Sequence, residues 1–247
     1  DQPLAAGWPA DLLQMASFVR PLAAFYAAWD RLDYKAAQKV TLPAVALRPS
    51  IWDTLVPSET VREWVSNLAE SFPTENKDRA ARLRSLVADL LANGERRLRD
   101  QQFEDAVIRA YRVLELIGQI RLFDHDLDSA ALPPVHPVVQ KFQEELQKAK
   151  SAPLGANRSG QLVAAREQVA RLLKRLGDPF GQRLIDMGNQ GVVKPSVRNM
   201  SVWIHGFEAV SGSDPQPLRA LYADLQKFIE DDGGPQAKHR LEVARSL

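Results

Sequence analysis

The sequence contains no cysteine, which removes disulfides, cysteine nucleophiles and thiolate metal sites together and is in keeping with a reducing cytoplasm. Neither sign of charge is in excess: 32 Lys and Arg stand against 31 Asp and Glu, a net +1. The chain as a whole is therefore not a polycation made to coat nucleic acid, and any such site has to be local. No apolar run approaches the roughly 18 residues that a membrane span needs, and Asp1-Gln2-Pro3 has neither the basic nor the apolar stretch of a secretory signal. The expectation is a cytoplasmic protein without membrane contact. Its start on Asp1 rather than Met, in Pro- and Ala-rich sequence, suggests a portion of a longer protein.

The chemical motifs with distinctive spacing are missing as well. There is no glycine-rich phosphate loop, no Walker pattern, no GxSxG and no HExxH. His125, His136 and His239 lie in or beside loops or near the chain end without His-x3-His spacing, so neither metal nor cofactor is expected. Asp124-His125-Asp126-Leu127-Asp128 looks like a calcium loop but lacks the glycine and distal glutamate, and reads as a polar turn.

What the sequence does contain is helix periodicity. Residues 10–40 carry Leu12, Leu13, Phe18, Leu22, Phe25, Trp29 and Leu32 at helical spacing, with Pro21 expected to separate or kink two helices. Pro43, Pro49 and Pro57 interrupt, and Ser58-Glu59-Thr60-Val61 reads as the start of a helix closed by Pro73. Residues 74–99 and 103–123 form an amphipathic pair around a turn at Asp100-Gln101-Gln102, a helical hairpin. Pro137 opens a helix to about Lys150, a flexible loop follows to Ser159, and further helices are expected at 160–176, 179–187, 214–231 and 235–246. Apart from a short stretch at 190–194, nothing alternates as a strand does. The fold class is all-α, divided into an N-terminal helical connector at 1–73 and a helical domain at 74–247. Arg79-Arg82-Arg84, Arg96-Arg97-Arg99 and Arg171-Lys174-Arg175 read as solvated helix faces, with RNA guidance as the other reading. Trp29, Trp52 and Trp64 read as core residues rather than base-stacking platforms.

The stretch from Val197 to Phe207 stands apart. At about 100° per residue, Arg198 and His205 lie two turns apart within about 20° of one line. Asn199 and Ser201 flank that line, while Val197, Met200, Trp203 and Ile204 form an apolar stripe opposite. Pro195 and Gly206 punctuate the ends. The negative end of the helix macrodipole favours a protonated His205. A fixed cation beside a group that titrates near neutrality suits phosphodiester chemistry, and the same face on a merely solvated helix is the competing reading.

Two stretches carry a family resemblance. Glu95-Arg96-Arg97 through Phe103-Glu104-Asp105-Ala106-Val107, Ala110-Tyr111-Arg112 and Leu114-Glu115-Leu116-Ile117 resembles the helical signature of the HEPN part of type III CRISPR-associated ancillary ribonucleases. Arg198-Asn199-x-Ser201-x3-His205-Gly206-Phe207 looks like the active-site helix of that family, and the region of Trp29-Asp30 is similar to the segment that precedes it. The resemblance implies a HEPN-like helical bundle with an N-terminal extension. It implies a metal-independent endoribonuclease that cuts single-stranded RNA by 2′-hydroxyl attack, leaving a 2′,3′-cyclic phosphate, in antiviral defence. His205 would be the acid/base group, Arg198 would orient and neutralise the phosphate, and Asn199 and Ser201 would support them. Two copies of the helix would meet across a homodimer. The family's N-terminal sensor domain, which binds cyclic oligoadenylate, has no counterpart in this sequence. A HEPN-like module that binds nucleotide or RNA without cutting it, or a helical scaffold for protein interactions, are the alternatives.

Overall fold

The computed structural model describes residues 10–42, 55–189 and 216–246. Among them are nine helices and one pair of two-residue strands, in the order α1 (Ala10–Asp30), α2 (Tyr34–Gln38), α3 (Glu59–Ala69), α4 (Asn76–Arg99), α5 (Phe103–Asp124), α6 (Pro137–Lys148), β1 (Gly155–Ala156), β2 (Leu162–Val163), α7 (Arg166–Arg175), α8 (Pro179–Gly188) and α9 (Gln216–Arg245). The class is all-α, as the periodicity predicts. None of these helices is long and apolar enough to cross a membrane.

The chain forms two compact units, Asp1–Ser71 with Glu242–Leu247, and Phe72–Leu241. In the first, Phe25, Trp29, Ala37, Val61, Val65 and Val243 make a core. Trp29 is fully buried and meets the ring of Phe25 edge-on at 6.1 Å, so it is a packing residue; Trp64 packs partly buried against the same core. Trp52 lies outside the described residues. Pro21 does not separate two helices, since α1 runs through it, and the chain breaks after Asp30, with Leu32 at φ 61°. Asp33 then caps α2 by accepting from the Ala36 N–H at 3.0 Å. Ser58 caps α3 through the Val61 N–H at 3.2 Å, the hydroxyl satisfying a donor that the first turn leaves open.

The second unit is built on the hairpin of α4 and α5. Leu83, Val87 and Leu91 of α4 are buried, as are Val107, Ala110, Leu114, Ile117 and Ile120 of α5, the i, i+3, i+4 rows that the sequence displays. Each fully buried Leu or Ile contributes about 1.5–3 kcal/mol, so this seam holds without a disulfide. The turn between them places Gln101 at φ 60°. Helices α7 and α8 pack on α5, and α6 packs on α7.

One expectation needs correction. The flexible loop after α6 and the start of the helix placed at 160 are instead an antiparallel hairpin, Gly155 opposite Val163 and Ala156 opposite Leu162. Asn157 closes it: its side-chain oxygen accepts the Ser159 and Gln161 N–H groups at 3.0 Å each, and its amide donates to the Ala130 carbonyl at 3.1 Å. An Asx turn of this kind substitutes for helix hydrogen bonds, so α7 begins only at Arg166. The division expected between helices at 214–231 and 235–246 is present: α9 is two helices that meet at Gly234, with φ 54° and ψ −141°, and the following Pro235 lacks the N–H to continue the ladder.

Candidate functional site

The helix expected from Val197 to Phe207, with Arg198, Asn199, Ser201 and His205, lies outside the described residues, as does the strand expected at 190–194. The structure does describe the helices on either side of it, α8 before and α9 after, and what holds them.

Helix α8 begins at a charged centre. Gly177 turns the chain at φ 76°, and Asp178 caps the helix by accepting the Phe180 N–H at 2.8 Å, with Pro179 at the first helical position, where its missing donor costs nothing. The Asp178 side chain is completely buried. It accepts from Nη2 and Nε of Arg121 at 2.8 and 3.1 Å, and Nε2 of His125 lies 2.9 Å from it. Arg121 reaches further, with Nη1 3.0 Å from Asp232 and 3.2 Å from Asp124. Arg84 donates to the same two aspartates, to Asp232 through Nε at 2.8 Å and to Asp124 through Nη2 at 2.6 Å. Two arginines, three aspartates and a histidine thus tie α4, α5, α8 and α9 together.

The electrostatics follow from that geometry. Burial by itself would raise the pKa of Asp178, but the bonds from Arg121, the Phe180 amide and His125 outweigh it and hold the carboxyl below its ordinary value, as bonds to the charged form do. Burial works against the charge of Arg84 and Arg121, and their aspartate partners reverse that effect and leave both guanidinium groups more basic than usual. Arg79 is also engaged, 2.8 Å from Asp128 and 4.4 Å from the ring centre of Phe123. The faces of Arg79 and Arg84 are therefore not simply solvated. Nor is Asp124 to Asp128 only a polar turn, because three of its side chains serve as partners for residues elsewhere in the chain. Asp178 and Asp232 follow Arg121 by 57 and 111 positions; no local spacing reveals such pairs. Among the described residues no group of three or more His, Asp or Glu is placed to hold a metal ion.

The far ends of α8 and α9 face different parts of the α4/α5 hairpin. Gly188 accepts from Nη2 of Arg166 at 3.4 Å, and the guanidinium of Arg166 lies 5.0 Å over the ring of Tyr111. A small cleft lined by Leu114, Glu115, Gly118, Arg166 and Asn189 adjoins this end. At the start of α9, Leu218 and Tyr222 are buried. Tyr222 donates its hydroxyl to the Ala106 carbonyl at 2.7 Å, and burial makes that hydroxyl far less acidic than usual. Its ring passes over Gly94, where a Cβ would collide with it.

A second charged feature faces outward. Arg171, Lys174 and Arg175 of α7, with Phe142 and Glu145 of α6 and Ile185 of α8, line an open groove. Arg171 lies 5.6 Å over the ring of Phe142, and Nε of Arg175 donates to Glu145 at 3.0 Å.

Comparison with known proteins adds the family. No curated protein matches the chain. Residues 75–229, more than half the sequence, match the family model described as the Csm6 HEPN domain. That span runs from the start of α4 into α9 and takes in the positions of Arg198 and His205. The role that goes with it is CRISPR-associated and ribonuclease-like in general. On this match, the chain belongs to the Csm6 HEPN domain family.

Proposed function

We propose that the protein is a metal-independent endoribonuclease that cuts single-stranded RNA in type III CRISPR antiviral defence. The observation that carries the reading is that the family match spans residues 75–229 and so encloses Arg198, Asn199, Ser201 and His205. In the reaction the 2′-oxygen of one nucleotide attacks the adjoining phosphorus, forming a 2′-O–P bond while the P–O5′ bond breaks. The 2′-hydroxyl loses a proton and the departing 5′-oxygen gains one, giving a 2′,3′-cyclic phosphate and a 5′-hydroxyl. His205 serves as the acid/base group. Arg198 neutralises the phosphate, whose charge grows in the transition state, and Asn199 and Ser201 hold the substrate by hydrogen bonds.

Helix 197–207 supplies one copy of each residue, and the working site is composite, with two copies meeting across a homodimer. The division into a connector at 1–73 and a catalytic domain at 74–247 belongs to the same reading, as does activation by cyclic oligoadenylate through a sensor domain not seen in this sequence. The test is cleavage of an end-labelled single-stranded RNA with EDTA present. Parent protein yields cyclic-phosphate ends and His205→Ala does not. A variant that cuts as fast as the parent removes the assignment, and tight binding without product turns the protein into a non-catalytic RNA-binding module.

A further inference from the structure

We propose that the groove between α6, α7 and α8 is a docking surface for single-stranded RNA, gripping its phosphates through Arg171 and Lys174, with Arg175 beside them held by Glu145. The proposal rests on the ribonuclease reading above and adds to it a place, outside the catalytic residues, where substrate is held.

Four observations support it. First, positive charge is left over there. Most arginine side chains of the charged centre are matched: Arg84 and Arg121 by Asp124, Asp178 and Asp232, and Arg79 by Asp128. Among the described residues Glu145 is the one carboxylate lining the groove, and it is engaged with Arg175. Among the described residues neither Arg171 nor Lys174 has a carboxylate partner. In a chain of net charge +1, such a surplus is local and has to be built.

Second, the three cations are arranged in a row. Positions i, i+3 and i+4 on α7 lie on one face with Cβ atoms about 5–6 Å apart, a run of charges suited to a chain of charges. Third, the groove offers a protein partner little to anchor on. Phe142 is 2% exposed and lies beneath Arg171, whereas protein interfaces depend on a few accessible aromatic or aliphatic anchors. Backbone phosphates need no such anchor. Fourth, Ile185 of α8 lines both the groove and the cleft that includes Asn189, so the two adjoin along α8, the helix that precedes Arg198 and His205 in the sequence. With no exposed aromatic ring to stack on, the grip is on phosphate and independent of base identity.

The experiment measures retention of a fluorescein-labelled single-stranded RNA of mixed sequence by the full chain, in a His205→Ala background that preserves the RNA, over a series of salt concentrations. Each phosphate neutralised contributes about 0.7 to the slope of log K against log salt for a single strand. The pair Arg171→Gln and Lys174→Gln together should make the slope shallower by about 1.4 and weaken binding about tenfold near physiological salt. Arg171→Lys retains the charge and keeps the parental slope. Glu145→Gln removes the opposing carboxylate at equal size, frees Arg175 and steepens the slope, a gain that damage to the fold does not produce. Unchanged slopes in the Gln pair and in Glu145→Gln overturn the groove while cleavage by the parent leaves the ribonuclease reading in place. A parent that neither cuts nor binds RNA overturns that reading, and the groove with it.

Discussion

Replacing Asp178 by asparagine tests the charged centre on which α8 is seated. The carboxylate is fully buried and receives two bonds from Arg121, one from the Phe180 amide and a contact from His125. Asparagine is itself a good helix cap, so the bond to Phe180 survives and the loss is confined to the charge. Removing one partner of a buried ion pair costs about 3–5 kcal/mol when the other charge is stranded. Arg121 is not stranded, because Asp124 and Asp232 remain beside it. The expected cost is therefore below that range, about 2 kcal/mol. Asp124→Asn is the control: that side chain is 29% exposed, where an ion pair contributes about 0.2–1 kcal/mol. The assay is urea denaturation followed by far-ultraviolet circular dichroism, comparing midpoints at equal slope. pH supplies a second arm. The folded-state pKa of Asp178 is depressed, so its contribution is fully present above the unfolded value of about 3.9 and is lost as pH falls through the lower folded value. The parent and Asp178→Asn should differ by a constant amount at neutral pH and converge in strong acid. If Asp178→Asn costs no more than Asp124→Asn, or if the gap persists in strong acid, the account of the centre is wrong.

Further outcomes concern the close approaches around the hairpin and the proposed chemistry. Gly181→Ala should destabilise by about 1–3 kcal/mol in the same assay, since the added Cβ would run into the backbone of Lys174 and neighbouring Leu173, which no rotamer can relieve. Tyr222→Phe should cost about 1 kcal/mol by removing the buried bond to Ala106; a neutral effect in thermal denaturation would contradict that bond. Arg198→Ala, assayed on single-stranded RNA in EDTA, should lower kcat/KM at least a hundredfold, roughly what one preorganised charge-stabilising donor provides, and a residual rate near the parent would deny it a role at the phosphate.

Much of the helical fold is readable residue by residue. Leu83, Val87 and Leu91, then Val107, Ala110, Leu114 and Ile117, lie on the buried faces that their spacing marks, and Ser58 and Pro137 sit at helix starts where their chemistry places them. The failures are those of local reasoning. Pro21 looks like a break, yet α1 continues through it, and the loop to Ser159 becomes a hairpin because Asn157 finds partners on its own turn and at Ala130. The arginines of α4 look solvated on a helical wheel, but Arg84 meets Asp124 and Asp232 from two other helices.

The candidate site divides in the same way. Arg198, Asn199, Ser201 and His205 are visible in the sequence as one face of one periodic segment, and the family is recognisable from residues that lie close together along the chain. The seat of α8 on Asp178, and the uneven matching of charge that among the described residues leaves Arg171 and Lys174 without carboxylates while Arg84 and Arg121 share three, were decided only when the helices packed. Periodicity determines which face of a helix is apolar, since it depends on the 100° step between neighbours. Which charges meet depends on which helices become neighbours in space, and no spacing along the chain carries that information.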